Sequence, residues 1–221
     1  MNQSLPALVR RLLRAPPIVY RAPGSPNAVA LTFDDGPSEW TAQIAAALET
    51  RGCLGTFFVR GAAAEELPDT VAALARAGHE VGNHLWTHSD PARQSPGALR
   101  AEIDRTAAMI ASVTGKRPDL VRPPYCGAPR RVAWAARGGG ASMIALRSVD
   151  PADWDAASAD EIVESVLGEV GPGDIVCLHD GVVPETSGKT TRSATAAAVA
   201  RLVPSLLDRG LRPVTVSQLL S

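Results

Sequence analysis

The chain has 221 residues, enough for one domain that buries roughly 70% of its unfolded surface. A formal net charge of −1 gives it no electrostatic pull toward nucleic acid or an anionic membrane surface. No run approaches the roughly 18 consecutive apolar residues that a spanning helix requires.

Residues 1–23 read as an N-terminal extension. Leu5, Leu8, Leu12 and Leu13 are interrupted by Arg10, Arg11 and Arg14, which breaks the apolar core of an export signal, and Pro16-Pro17 ends the segment. The spacing predicts a short amphipathic helix, followed by a single domain over residues 24–221. Cys53, Cys126 and Cys177 are odd in number and lack metal-ligand spacing, which fits a reducing compartment, so the expected location is cytoplasmic. Cys53 and Cys177 lie in strand-like runs and read as small core residues, whereas Cys126 lies in a loop.

From residue 28 the pattern alternates strand and helix, as in an α/β fold with a parallel sheet. Strands are expected near 28–33, 54–59, 79–82, 119–122, 143–147, 174–179 and 213–216. Ser38 should open a helix with Trp40, Ile44 and Leu48 on one face. Ser95-Pro96 provides an N-cap and first-turn proline for a helix ending near Gly115. Ser158 and Glu161 form a capping-box pattern, and the alanine-rich stretch from Ser193 to Arg209 is the last long helix. Residues 182–192 read as a polar loop able to cover a substrate.

Polar signals collect at strand ends, where ligands bind in such sheets. The first strand ends in Asp34-Asp35-Gly36-Pro37, and adjacent carboxylates stay ionised cheaply only beside a cation or donor. Asn83-His84-Leu85-Trp86-Thr87-His88 follows another strand. Its histidines would share one face of a helical turn, and Asp35 would complete a His-His-carboxylate set with an open position. That composition suits a catalytic zinc. Val121-Arg122-Pro123-Pro124-Tyr125 holds a guanidinium on a stiff loop, where it could keep Asp34 ionised. Asp150-Pro151-Ala152-Asp153-Trp154 and Leu178-His179-Asp180 complete the set. A carboxylate beside His179 would keep its imidazole protonated as a general acid.

These five motifs, in this order over about residues 28–215, resemble the polysaccharide deacetylases with a NodB-homology domain, carbohydrate esterase family 4. The resemblance implies a distorted (β/α) barrel of about seven parallel strands and metal-dependent removal of an N-acetyl group from an amino sugar or small glycoconjugate. It implies that Asp34 is the catalytic base, positioned by Arg122, and that Asp35, His84 and His88 hold Zn2+, with Co2+ or Ni2+ as substitutes. It further implies a Tyr125 backbone amide at the oxyanion, His179 as general acid tuned by Asp153, and Trp154 and Leu178 lining the pocket at the acetyl methyl. Three positions depart from the family pattern. Leu85 replaces Ser or Thr, Cys126 separates Tyr125 from Gly127, and Arg147 stands where an aromatic is common. A zinc amidohydrolase for a non-sugar amide and an inactive metal-holding binding module are the alternatives. Binding alone needs neither a base nor an acid, so Asp34 and His179 favour the enzyme.

Overall fold

The computed structural model describes residues 15–183 and 190–221. The amphipathic helix expected within residues 1–23 lies outside the described residues up to position 14, and so does part of the 182–192 loop, residues 184–189. Beyond Pro16-Pro17, which end that expected helix, Ile18–Val19 forms strand β1.

The other strands are β2 (Ala28–Asp34), β3 (Thr56–Val59), β4 (Glu80–Asn83), β5 (Leu120–Val121), β6 (Met143–Ala145), β7 (Ile175–His179) and β8 (Arg212–Val214). They pair in the order β1-β6-β5-β4-β3-β2-β7, with β8 beside the start of β2, and each pairing is parallel. Past β6 the chain bridges to β7 at Val149↔Val176, curling the sheet toward closure. The result is the expected distorted barrel, with one edge strand more than the sequence pattern gave. A two-residue strand is too short for alternation to reveal.

Helices α1 (Thr41–Glu49), α2 (Gly61–Glu66), α3 (Pro68–Arg76), α4 (Pro96–Thr114), α5 (Pro129–Ala136), α6 (Ala159–Glu169), α7 (Ser193–Asp208) and α8 (Val216–Leu219) connect the strands. Ser95 caps α4 by accepting from the Ala98 N–H, and Gly115 ends that helix in the left-handed region at φ 76°. Ser158 caps α6 from Glu161, but the Glu161 carboxylate takes the Ala157 N–H, so the capping box is not reciprocal. Helix α1 begins three residues later than Ser38. The Ser38 hydroxyl instead bonds the Asp180 carbonyl, tying the ends of β2 and β7 together.

Period-two alternation sorts the strands. Val29, Leu31 and Phe33 of β2 pack outward with Val176 and Leu178 of β7 against Ile44, Leu48, Ile162, Val199 and Leu202 of the helices. Thr32 and Asp34 therefore point the other way, toward the barrel mouth. Cys53, expected in a strand, is buried in the turn after α1. Among the described residues no helix is long and apolar enough to cross a membrane.

Candidate active site

The register of β2 and β7 pairs Asp34 with His179 and Thr32 with Cys177, although about 145 residues separate each pair in the chain. Strand register thus puts two proton-handling groups side by side at the mouth of the barrel. They line a cavity of about 280 Å³ together with Asp35, His84, His88, Tyr125, Cys126, Arg147, Asp150, Trp154, Cys177 and Arg192.

Arg122 is fully buried, and each of its three guanidinium nitrogens donates a hydrogen bond. Nε donates to the Ala145 carbonyl at 3.1 Å, Nη2 to Leu146 at 2.8 Å, and Nη1 to Thr32 Oγ1 at 2.7 Å and Asp34 Oδ1 at 2.8 Å. Its plane stacks 4.2 Å from the Phe58 ring. Burial alone would raise the Asp34 carboxyl, but the charge of Arg122, then His84 and His179, outweighs it and holds Asp34 below the usual carboxylate range. The Cys177 thiol donates to Asp34 Oδ2 at 3.5 Å, so this cysteine borders the site and is not simply core filling.

Asp35 leaves the strand at φ 76°, and Arg60 Nε donates to its carbonyl at 2.9 Å. Gly181 passes so close that a Cβ there would lie 2.3 Å from the Asp35 carbonyl, which excludes any larger residue. The two histidines converge, but not on a helical turn: residues 84–88 form a loop in which Leu85 and His88 have φ of 63° and 65°. The loop is braced by Asn83 Oδ1, which takes the Leu85 N–H at 2.8 Å, and by Glu102. That carboxylate accepts from the Trp86 and Thr87 N–H groups at 2.9 Å each and from the Thr87 hydroxyl at 2.8 Å. Glu102 on α4 gave no sequence signal, since a helical glutamate reads as a solvated face. The bracing does not depend on a hydroxyl at position 85.

His84 Nδ1 donates to the Arg122 carbonyl at 2.8 Å, which fixes the tautomer and leaves the Nε2 lone pair facing Asp35. His84 Nε2 lies 3.4 Å and His88 Nε2 3.1 Å from Asp35 Oδ1. These donor atoms all lie within 4.8 Å of one another, on buried residues. Burial opposes ionisation of Asp35, yet the close approach of His84 and then the charge of His179 hold its carboxyl well below the ordinary range. Burial pushes His88 down to about 4, keeping the imidazole neutral as a ligand must be. Asp35 Oδ1 and His88 Nδ1 are buried without a hydrogen-bond partner among the described residues. Two converging imidazole nitrogens and a buried carboxylate, with an unsatisfied oxygen between them, fit a divalent metal ion.

On the other side, His179 Nδ1 meets Asp153 Oδ1 at 2.7 Å. Asp153 also accepts the His179 N–H at 2.9 Å and the Thr195 hydroxyl at 2.7 Å. Burial works against the imidazolium, but Asp153, then Asp35 and Asp34, raise His179 to about 9. Trp154 stands at the rim, 39% exposed. The Tyr125 ring meets His88 edge-on at 4.7 Å, and its backbone turns at φ 59°. Leu178 is the one expected pocket residue that does not line the cavity. On β7, Cys177 and His179 face the mouth, so Leu178 between them points into the outer core. Thr32 and Cys177 were legible by the same rule, two positions before Asp34 and His179.

Asp180 was also missed as a participant. It is buried, accepts from the Gly36 N–H at 3.2 Å and the Thr41 hydroxyl at 2.5 Å, and burial pushes its carboxyl up to about 7. It bolts the Asp35 turn to the end of β7.

The sequence matches polysaccharide deacetylases over residues 21–144. It is 33% identical over 199 residues to a peptidoglycan-N-acetylglucosamine deacetylase of Bacillus cereus, covering 89% of this chain and 70% of that protein. It is 37% identical over 194 residues to a chitooligosaccharide deacetylase of Sinorhizobium fredii, covering 85% and 88%. Among solved structures, a peptidoglycan N-acetylglucosamine deacetylase bound to 4-naphthalen-1-yl-N-oxidanyl-benzamide superposes with TM-score 0.82 at 31% identity, over 93% of this chain and 92% of that one. A pseudoenzyme of the carbohydrate esterase 4 family from Bacillus anthracis superposes with TM-score 0.83 at 25% identity, over 93% and 69%.

Proposed function

The chain belongs to the polysaccharide deacetylase family, and from that premise we propose that it is a zinc-dependent hydrolase that removes an N-acetyl group from an amino sugar or small glycoconjugate. The observation that carries this reading is the arrangement of three complete parts around one cavity: the Asp35–His84–His88 donor set, the Asp34–Arg122 pair and the His179–Asp153 pair. Asp35, His84 and His88 would hold the ion, which when bound supplies Lewis-acid polarisation of the acetamide carbonyl and acidifies water. Co2+ and Ni2+ suit the same donors.

The remaining chemistry belongs to the protein. Asp34 stays ionised beside Arg122, with Oδ1 occupied by the guanidinium, so Oδ2 takes the proton of the attacking water. Tyr125 lines the cavity, and its backbone amide is assigned to the developing oxyanion by the family resemblance. His179, anchored through Nδ1 to Asp153, holds the proton on Nε2 that passes to the departing amine. Acetate and a free amine leave. Trp154 closes one rim, where its indole can pack on the acetyl or sugar face.

Zinc-loaded protein should release acetate from N-acetylated sugars, and Asp34→Asn and His179→Ala should each slow release by about 10²–10⁴-fold. Unchanged rates in both would refute the roles. A pseudoenzyme neighbour makes the binding-module alternative concrete, but a buried, ionised Asp34 and a carboxylate-anchored His179 favour catalysis. The three unpaired thiols support a reducing, cytoplasmic setting and hence a soluble substrate.

A further inference from the structure

One cation of the cavity wall has no part in that chemistry. Arg147 lines the cavity beside Asp150 and Trp154, on the segment between β6 and β7. Its Nη2 is held by Asp150 Oδ2 at 2.6 Å, and Asp150 Oδ1 is itself fixed by the Ala152 N–H at 3.1 Å. Cys126 lies on the same cavity wall. A guanidinium offers five N–H donors in a planar fork, and these contacts leave part of it for the cavity. The side chain is 31% exposed, a charge held at the mouth and not hidden behind it.

Charge balance points the same way. The lining sets the side chains of Asp34, Asp35 and Asp150 beside those of Arg147, Arg192 and His179, three acidic residues against three basic ones. A divalent ion on Asp35, His84 and His88 would then leave the wall cationic overall. A cationic, partly enclosed wall concentrates anions.

We infer that Arg147 is a specificity-determining residue that selects N-acetylated sugars carrying a carboxylate or phosphate near the acetamide over their neutral counterparts. This rests on the deacetylase reading for the position of the acetamide. The shared chemistry is a planar or tetrahedral oxyanion accepting from the fork, while Asp150 keeps the guanidinium in place.

Matched ligands that differ in charge test it. N-acetylmuramic acid methyl glycoside is compared with its uncharged methyl ester, and N-acetylglucosamine 6-phosphate with N-acetylglucosamine. Binding to the zinc-loaded full chain is read by calorimetry, and acetate release is read in parallel. The wild type should bind one charged ligand about tenfold or more tighter than its neutral twin. The carboxylate and phosphate arms then identify the favoured group. Arg147→Met should bring that ratio toward unity, and Arg147→Lys should keep part of it, in variants whose melting temperatures match the wild type.

Absence of a charge preference in the wild type overturns the inference, and so does an equal preference in Arg147→Met. Equal weakening of both twins, the result of a mere loop brace, overturns it too. Acetate release without charge preference leaves the hydrolase standing and removes the role of Arg147. Charge-dependent binding without acetate release removes the hydrolase and keeps that role.

Discussion

The proton-handling side of the cleft and its metal-binding side are held by different means. Asp34 and His179 end adjacent strands in register, and their polar atoms already have buried partners in Arg122, Cys177 and Asp153. Asp35, His84 and His88 come from two loops with left-handed residues at Asp35, Leu85 and His88, and two buried polar atoms there lack partners among the described residues. The first half is complete on folding. The second is completed by a ligand, and its loops must be held against backbone strain until one arrives.

The largest effects should break the strand side. Asp34→Asn and His179→Ala abolish most acetate release, by about 10²–10⁴-fold, while leaving zinc affinity in equilibrium dialysis nearly intact. A parallel loss of zinc binding would mean the two halves are not separate. Next, Arg122→Met leaves a buried carboxylate without its cation and should cost about 3–5 kcal/mol in denaturant unfolding. A smaller cost would show that Asp34 finds other donors.

The loop side should respond to metal instead. Zinc at one hundred times its Kd should stabilise the wild type by about 2.7 kcal/mol, and chelation should reverse the gain. His84→Ala should remove that gain while leaving the metal-free melting temperature less changed than Arg122→Met does.

A pH series sharpens the contrast further. His179 is raised to about 9 in the fold, above its ordinary value of 6.5. The stability from its pair with Asp153 is therefore fully present below about pH 6.5 and lost as pH rises through about 9. Acetate release should fall over the same upper range, and Asp153→Asn should move that break to lower pH. The smallest expected effect is Glu102→Ala, about 1 kcal/mol in stability with a measurable drop in zinc affinity, because only loop bracing is lost.

Much of this was legible in the chain. Alternating apolar strands and capped helices marked the barrel, and the candidate ligands and proton-transfer residues sat at strand ends or in the loops that follow them. What escaped followed from rules that one-dimensional patterns do not carry. Leu178 beside His179 read as pocket lining, yet strand alternation turns it outward, while Cys177, read as core, turns inward. The His84–His88 spacing fitted a helical turn, but left-handed backbone at Leu85 and His88 brings the imidazoles together by another path. Glu102 and Asp180 act through backbone N–H groups and hydroxyls of distant segments, contacts that no local spacing encodes.

The ladder between β2 and β7 has one more consequence. It works as a ruler: proton acceptor and proton donor are separated by a single inter-strand step, so that interval cannot be retuned by altering loops. Slipping either strand by one residue would swing Phe33 or Leu178 into the mouth and bury the reactive partner outside. Divergence among substrates must therefore be written around the rim, at positions such as 126, 147 and 154, while the interval itself is inherited unchanged.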